Sequence, residues 1–222
     1  MNQDAAFEAG EADAYWRRNQ HNIANLELRQ DFPVSLITAH RLQPQSVLEV
    51  GAADGYRLQW IHYLLHPERT VAVEPSAEAI AYGRSVAPWI HFLQSTAADM
   101  DLHGEQFNLV IVHYVLHWVD RSRLMRSVAN IDEAVNDGGY LLIGDFYPDN
   151  RTKVPYHHKP GLYTFKQDYA RLFCETGLYH AVAMLTSGHG DKDVRDAPEQ
   201  ERYACWLLRK SLTDHYAEHK GV

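Results

Sequence analysis

Between Ser46 and Asp145 short apolar runs alternate with stretches whose apolar positions recur at helical spacing. Val47, Leu48 and Val50 form one run, Gly51 and Gly55 break it, and Leu58, Trp60, Ile61, Leu64 and Leu65 resume it. This predicts a buried strand over 46–50, a tight turn and a helix from Tyr56 to His66. TVAVE (70–74) predicts a second strand, followed by a helix that Ser76 caps and that runs to about Val86. Ile90 to Gln94 reads as a third, short strand. The nearly unbroken run FNLVIV (107–112) is the mark of a strand covered on both faces. Leu124, Met125, Val128, Ile131 and Val135 then give a helical stripe that Asp137, Gly138 and Gly139 stop, and YLLIG (140–144) is a fifth strand ending at Asp145. Strands alternating with helices in this way predict right-handed crossovers and an α/β fold built on a doubly wound, mostly parallel sheet.

The two ends read differently. Asp4 to Leu28 suits one or two helices outside the main core, and Pro33 to Leu42 a further helix closed by Pro44. After the fifth strand, Phe146 to Phe165 is a long aromatic connection. Thr164 with Gln167 forms a capping box for a helix through Glu175. Ala181 to Thr186 and Tyr203 to Leu208, separated by a polar loop from Gly188 to Glu201, read as a terminal antiparallel hairpin at the sheet edge.

Composition narrows the class. With 222 residues, 45% apolar and 23% charged, the chain has material for one sizeable core, so residues 1–222 are expected to form a single domain. The net charge of −8 gives no field for a polyanion, so nucleic acid is not the expected partner; Arg121, Arg123 and Arg126 are expected on a solvated helix face. Cys174 and Cys205 read as two reduced core thiols. No basic, apolar leader opens the chain and nothing approaches the roughly 18 apolar residues of a membrane span, so a soluble, cytoplasmic protein is expected, monomeric or homodimeric.

In a doubly wound sheet a ligand lies beyond the carboxyl ends of the strands, where strand order reverses. Four predicted strand ends carry polar groups: Glu49, Glu74, His113 with Tyr114, and Asp145. The helix opening after Gly55 presents unpaired N–H groups, and glycines let a ligand reach the backbone. An acid closing the second strand, about 20 residues past the glycine turn, suits the hydroxyls of a ribose. Glu74 therefore points to a nucleoside, a merely solvated strand terminus being the plainer alternative. A nicotinamide dinucleotide wants G-x-G-x-x-G, whereas this turn is G-x-x-x-G with Tyr56 at the third-glycine position. Glu49 at the turn would repel a pyrophosphate and welcome a cation. S-adenosylmethionine, with a sulfonium, an ammonium and a ribose, suits two acids at two strand ends.

EVGAADG (49–55), AVEPS (72–76) and FNLVIVHYVLHWVD (107–120), in this order and spacing, resemble the successive motifs of the class I S-adenosylmethionine-dependent methyltransferases. The resemblance implies a seven-stranded Rossmann-like sheet with a reversed last strand, N-terminal helices over 1–44 as a cap, a cofactor-binding core over 46–145 and a substrate lid over 146–165. It also implies S-adenosylmethionine as cofactor and S-adenosylhomocysteine as product. In the glycine turn Glu49, Gly51, Ala52, Ala53 and Gly55 occupy the family's positions; Ala53 stands where the middle glycine usually is, which suits a negative φ. Glu74, followed by Pro75, matches the ribose-binding acid. STAAD (95–99) falls where the family contacts adenine: Thr96 and Ala97 occupy those places without gaps, and Asp99 only if the loop shifts. His113 and Tyr114 match residues that meet the methionine portion. AYWRRN (14–19) and the segment from Asp145 to Phe173 resemble a small bacterial subgroup of surface-sugar or secondary-metabolite clusters. By that likeness Arg18 either reaches the cofactor carboxylate or pairs with a nearby acid.

Methyl transfer from a sulfonium is an in-line displacement for which positioning supplies much of the acceleration, on the order of 7 to 11 kcal/mol. The resemblance implies a small polar acceptor, methylated at oxygen as in a sugar, a carboxylate or a related metabolite; N-methylation and a non-catalytic cofactor-binding regulator are the alternatives. His113, His117 and His157 are the candidate bases, the first two four apart at a helix start and sharing a face, with Asp145 at a strand end facing the pocket. Tyr147, Tyr156, Tyr163 and Tyr169 either line the acceptor pocket or pack as lid core. A three-nitrogen metal site from His113, His117 and His157 or His158 has no cysteine pair to support it. The family's metal-dependent branch places acids where this chain has His113, so no metal is expected.

Overall fold

The computed structural model describes residues 2–24, 31–188 and 193–213; Asn25 to Leu28 of the expected N-terminal helices and residues 189–192 of the polar loop lie outside them. Five strands alternate with helices as the apolar pattern requires: β1 (Ser46–Val50), β2 (Arg69–Glu74), β3 (His91–Gln94), β4 (Phe107–His113) and β5 (Val135–Phe146). A short hairpin follows, β6 (Thr152–Pro155) with β7 (Tyr163–Lys166), and then β8 (Tyr179–Gly188) and β9 (Arg202–Lys210). The main sheet has the order β3-β2-β1-β4-β5-β9-β8. β1 to β5 pair in parallel, while β9 runs antiparallel between β5 and β8. Strand order reverses between β1 and β4, and this places the ligand crevice.

The two-residue period of the strands sorts their side chains onto two faces. Leu48, Val50, Val71, Val73, Val110, Val112, Leu141, Ile143 and Leu208 face a core completed by Val128 and Ile131 of α6 (Leu124–Ala134) and by Phe173 of α7 (Arg171–Cys174). Val47, Ala72, Leu109, Ile111, Leu142, Cys205 and Leu207 face the other core. There they meet Val34 and Leu36 of α3 (Phe32–Ala39), Leu58 and Ile61 of α4 (Tyr56–Leu65), and Ile80 of α5 (Ala77–Val86). Ser76 caps α5 through the Ala79 N–H (3.1 Å), and Asp31 caps α3 through the Val34 N–H (2.9 Å). Lys210 closes the other end of α6, donating to the carbonyls of Asp132 (2.7 Å) and Val135 (3.2 Å). At the N-terminus, α1 (Gln3–Ala6) and α2 (Ala12–Ala24) are joined by a kink at Gly10, where φ is +114°.

Several expectations are corrected. α6 ends at Ala134 and the chain enters β5 at once; Asp137 to Gly139 form an irregularity in the β4–β5 register rather than a helix stop. Thr164 lies in β7 opposite Val154, so it caps nothing, and the helix expected through Glu175 is the single turn α7. The capping box fails because Phe165 and Tyr163 have a hairpin partner that local spacing does not reveal. Arg121 and Arg123 are not on a solvated face. Arg121 bonds the Tyr169 hydroxyl and the Leu116 and Val119 carbonyls, and Arg123 is paired with Asp99 and Asp4. Both cysteines are free thiols, Cys205 in the core and Cys174 half-buried. Among the described residues no helix is long and apolar enough to cross a membrane.

Candidate functional site

A cleft opens at the switch point. Its floor is made by the ends of the parallel strands, with Gly51, Ala53, Glu74, Pro75 and Tyr114, and one wall by Ser95, Thr96 and Ala97. The N-terminal segment forms the roof: Asp4, Phe7, Tyr15 and Trp16 all face inward. α2 is held there by α5. Asp13 accepts from the Ser76 hydroxyl (2.7 Å) and the Glu78 N–H (3.1 Å), and Arg17 pairs with Glu78 (2.6 Å).

Glu74 organises the floor. One carboxylate oxygen accepts the Ala53 N–H (2.9 Å) and the other the Ser76 N–H (2.8 Å), so the acid ties the glycine turn to the start of α5. Burial pushes its carboxyl up to about 7, against the pull of those two N–H groups. Gly51 has φ +73°, and a Cβ there would lie 2.4 Å from Val115, so the turn passes too close to the cleft wall for any side chain. Ala53 departs from expectation: its φ is +51°, the left-handed region, not the negative value that would make an alanine comfortable. Its orientation is the one in which its N–H meets Glu74.

Glu49, expected at the ligand's cationic end, is turned away from the cleft. The two-residue period puts it on the α3–α4 face. There it meets Arg57, whose guanidinium is only 2% exposed. Arg57 also takes both oxygens of Asp31 (3.1 and 2.9 Å), the Tyr56 hydroxyl (2.7 Å) and Nδ1 of His113 (3.0 Å). Because Arg57 donates to Nδ1, Nε2 of His113 carries the proton and donates to the Tyr203 hydroxyl (2.8 Å). Burial and the Arg57 charge hold the His113 ring well below its ordinary pKa, hence neutral. With both nitrogens committed, His113 is not placed as a base. Gly144 makes room for this pair, since a Cβ there would sit 2.4 Å from the Tyr203 hydroxyl and 2.6 Å from the His113 ring.

His113 and His117 do not share a helical face. His113 ends β4, and His117 lies in the turn that follows. His117 belongs instead to Asp145, which is on the opposite face of the sheet from His113. Asp145 accepts from His117 Nδ1 (2.8 Å), from the His117 backbone N–H (3.2 Å) and from the Phe146 N–H (2.7 Å). The imidazole is 3% exposed and packs against Tyr114 and Trp118, which line the cleft. His157 is exposed on the connection after β6, its ring 3.8 Å from that of His158. Arg18 pairs with Glu11 (2.5 Å) and the Tyr156 hydroxyl (2.6 Å), away from the cleft lining. Asp99 is paired with Arg123, while Thr96 and Ala97 line the wall. Tyr156 and Tyr169 are buried in packing, and Tyr163 lies in β7.

Sequence reading expected an N-terminal cap but missed its cleft-facing residues Asp4, Phe7, Tyr15 and Trp16, as well as Arg57 and Asp31. Trp16 carries the clearest sign of a ligand: its indole Nε1 is buried and has no hydrogen-bond partner among the described residues. A buried donor without a partner costs about 1–3 kcal/mol, which a ligand acceptor would recover. Together with the raised Glu74 carboxyl and the bare backbone at Gly51, it fits a nucleoside with hydroxyls and ring nitrogens.

The fold is thus that of a Rossmann-like domain with a cleft at its switch point that fits a nucleoside. Residues 47–139 match the methyltransferase domain model. A probable S-adenosylmethionine-dependent methyltransferase of Mycobacterium tuberculosis is 26% identical over 143 residues, 61% of this chain and 50% of that protein. The chain therefore spans about half the length of the curated relatives it matches. Two solved structures share the fold. The Burkholderia thailandensis 1,6-didemethyltoxoflavin-N1-methyltransferase, with that compound and S-adenosylhomocysteine bound, has a TM-score of 0.67 at 13% identity, covering 94% of this chain and 90% of that one. N-methyltransferase NodS of Bradyrhizobium japonicum, with S-adenosylhomocysteine, has a TM-score of 0.62 at 16% identity, covering 95% and 99%. Over residues 47–139 the chain is thus similar in sequence to S-adenosylmethionine-dependent methyltransferases, and it shares their fold.

Two substitutions test this geometry. Arg57→Leu leaves the Asp31 and Glu49 carboxyls buried without a counter-charge and should lower unfolding free energy by about 3–5 kcal/mol in a denaturant titration. A loss below about 1 kcal/mol would contradict the buried network. Ala53→Gly relieves a left-handed penalty of about 1–2 kcal/mol and adds unfolded-chain entropy worth about 0.4–1 kcal/mol. Its denaturation midpoint should therefore rise slightly.

Proposed function

We propose that the chain binds S-adenosylmethionine in this cleft and methylates a hydroxyl oxygen of a small polar acceptor, with His117 as general base. The observation that carries the reading is the buried His117–Asp145 pair. Asp145 fixes the imidazole with its proton on Nδ1, which leaves the lone pair of Nε2 for an acceptor proton. When bound, the cofactor supplies an activated methyl carbon, so the protein's tasks are to align the acceptor and remove its proton. A hydroxyl becomes a good nucleophile only as its proton leaves, whereas a neutral amine brings its lone pair unaided. An oriented imidazole therefore favours oxygen over nitrogen. The Burkholderia and Bradyrhizobium proteins are named for N-methylation, and at 13% and 16% identity they supply the fold, not the acceptor.

In this reading Glu74, with Pro75 beside it, holds the ribose hydroxyls. Thr96 and Ala97 lie along the adenine, and Gly51, Ala52, Ala53, Gly55 and Tyr114 follow the methionine part. Glu49 acts from below through Arg57, and Arg18 steadies Tyr156 and the lid hairpin rather than touching the cofactor carboxylate.

Glu74 gives the binding a pH signature. Hydroxyl donors favour the ionised acid, and the free protein holds that acid protonated below about 7 with Asp13 and Asp54 facing it. The affinity for S-adenosylhomocysteine measured by calorimetry should therefore weaken as pH falls below about 7, approaching tenfold per unit. Glu74→Gln should bind more weakly and flatten the profile. For catalysis, isotopic methyl from S-adenosylmethionine is offered with panels of hydroxylated, carboxylated and amine acceptors. Label should appear at a hydroxyl oxygen, and His117→Ala should cut that turnover about 10²–10⁴-fold with S-adenosylhomocysteine affinity unchanged. Label on nitrogen, or turnover undiminished in the variant, would refute the oxygen reading.

A further inference from the structure

Residues 114–120, which carry His117, belong to no helix or strand, yet Tyr114, Val115, Trp118 and Val119 among them line the cleft. A segment of this kind keeps its shape only through bonds to its own backbone. Asp145 takes the His117 N–H, and the Phe165 N–H of β7 donates to the His117 carbonyl (3.0 Å). The remaining grip comes from Arg121. Its Nη2 donates to the Leu116 carbonyl (2.6 Å), and Nη2 and Nε (3.1 Å) both donate to the Val119 carbonyl. These two carbonyls stand on either side of His117 in the chain, so one rigid guanidinium plane brackets the turn that holds it.

Arg121 is itself locked in place. Its Nη1 donates to the Tyr169 hydroxyl (2.8 Å), whose own proton goes to the Phe165 carbonyl (2.5 Å), and the guanidinium carbon lies 4.4 Å from the centre of the Phe165 ring. Tyr169 is buried. The clamp therefore closes on itself, from Arg121 through Tyr169 and Phe165 back to His117. Every hydrogen bond in it that Arg121 donates goes to a neutral oxygen, and a charged donor holds a carbonyl harder than a neutral N–H does.

Asp145 fixes which nitrogen of His117 carries the proton, but a ring held by one side-chain bond still rises or tilts with its backbone. A base must come within about 2.6–3.2 Å of the proton it takes. A misplacement of about 1 Å costs about a hundredfold in rate. We infer that Arg121 is a positioning residue for methyl transfer: it does not line the cleft and acts by holding the turn that sets the reach of the His117 ring. The inference rests on the reading of His117 as the base.

The test compares Arg121→Gln, His117→Ala and the double variant. A single amide cannot bridge both carbonyls, so Arg121→Gln should slow transfer of labelled methyl, to the acceptor found with the panel, about ten- to a hundredfold, with S-adenosylhomocysteine affinity held within about threefold. Added to His117→Ala, the same change should cost no more than about twofold, because a residue that acts through the imidazole has nothing to position once the ring is gone. Nitrogen NMR of labelled histidines gives a readout without any ligand. His117 should keep its proton on Nδ1 in Arg121→Gln, since Asp145 is untouched, while that proton exchanges with water about tenfold faster as the turn loosens. Arg121→Lys, which can meet one carbonyl but not both, takes the place of the glutamine variant should that not fold, and should show a smaller loss of the same kind. Undiminished turnover in the Arg121 variants, a loss matched by lost affinity, a cost that adds in full in the double variant, or unchanged proton exchange overturns the inference. Full turnover in His117→Ala would instead overturn the reading of His117 as base, so the two failures are distinct.

Discussion

One buried guanidinium sets the geometry beneath the cleft. Arg57 stands four positions after Ala53, where the left-handed turn begins to reverse the chain, and its partners come from the N-cap of α3 (Asp31), β1 (Glu49), α4 itself (Tyr56) and β4 (His113), with Tyr203 of β9 bonded to His113 beyond. Taking a guanidinium and two carboxyls out of water is costly, and the cost is offset only when every donor is met in good geometry. Each partner is therefore held where Arg57 requires it. Glu49 cannot swing into the cleft and His113 cannot give up either ring nitrogen. Gly144 cannot carry a side chain either, because the His113–Tyr203 bond occupies the space. The loop above inherits its shape from this arrangement below.

The sheet separates two sets of polar groups by the alternation of its strands. Glu49, His113 and Tyr203 share the face that packs on α3 and α4, where they serve Arg57. Asp145, on the other face, serves His117 and the loop that leads to Trp118 and the roof. The first set is bonded within the protein through Arg57, with one Glu49 oxygen left unbonded among the described residues. In the second, Asp145 holds the His117 ring against Tyr114 and Trp118, which line the cleft. Two histidines only four residues apart thus have unrelated environments.

Much of this was legible. The period of apolar positions gives β1 to β5 and their helices, and the alternation of the two gives right-handed crossovers in a mostly parallel sheet. Glu74 is visible as an acid at a strand end at the right distance from the glycine turn. The pairing register puts Glu49 and His113 on one face and Asp145 on the other, because Val47 lies opposite Leu109 and His113 opposite Gly144, and the period within one strand does not give that register. What periodicity could not give is contact between distant segments. Asp31 meets Arg57, Gln3 buckles to Trp118 and Tyr163, and Trp16 closes the roof. Each joins stretches with no common period. The β6–β7 hairpin was hidden for the same reason, its four-residue strands being too short for alternation to register.

The two classes of buried acid show what the cleft is built to hold. Asp31 has a guanidinium on both oxygens, a partner that carries a full opposite charge. Glu74 has only two neutral N–H groups, and burial pushes its carboxyl to about 7; Asp4 and Asp54, also raised by burial, stand nearby in the N-terminal roof and the turn. A protein needing only stability would treat these acids alike. Holding Glu74 with neutral N–H groups alone spends folding stability on a field that a cation bearing hydroxyl and amino donors relieves. A sulfonium nucleoside brings all three, whereas a pyrophosphate would add negative charge to the same place. The electrostatics of the site therefore favour S-adenosylmethionine over a dinucleotide independently of the glycine pattern.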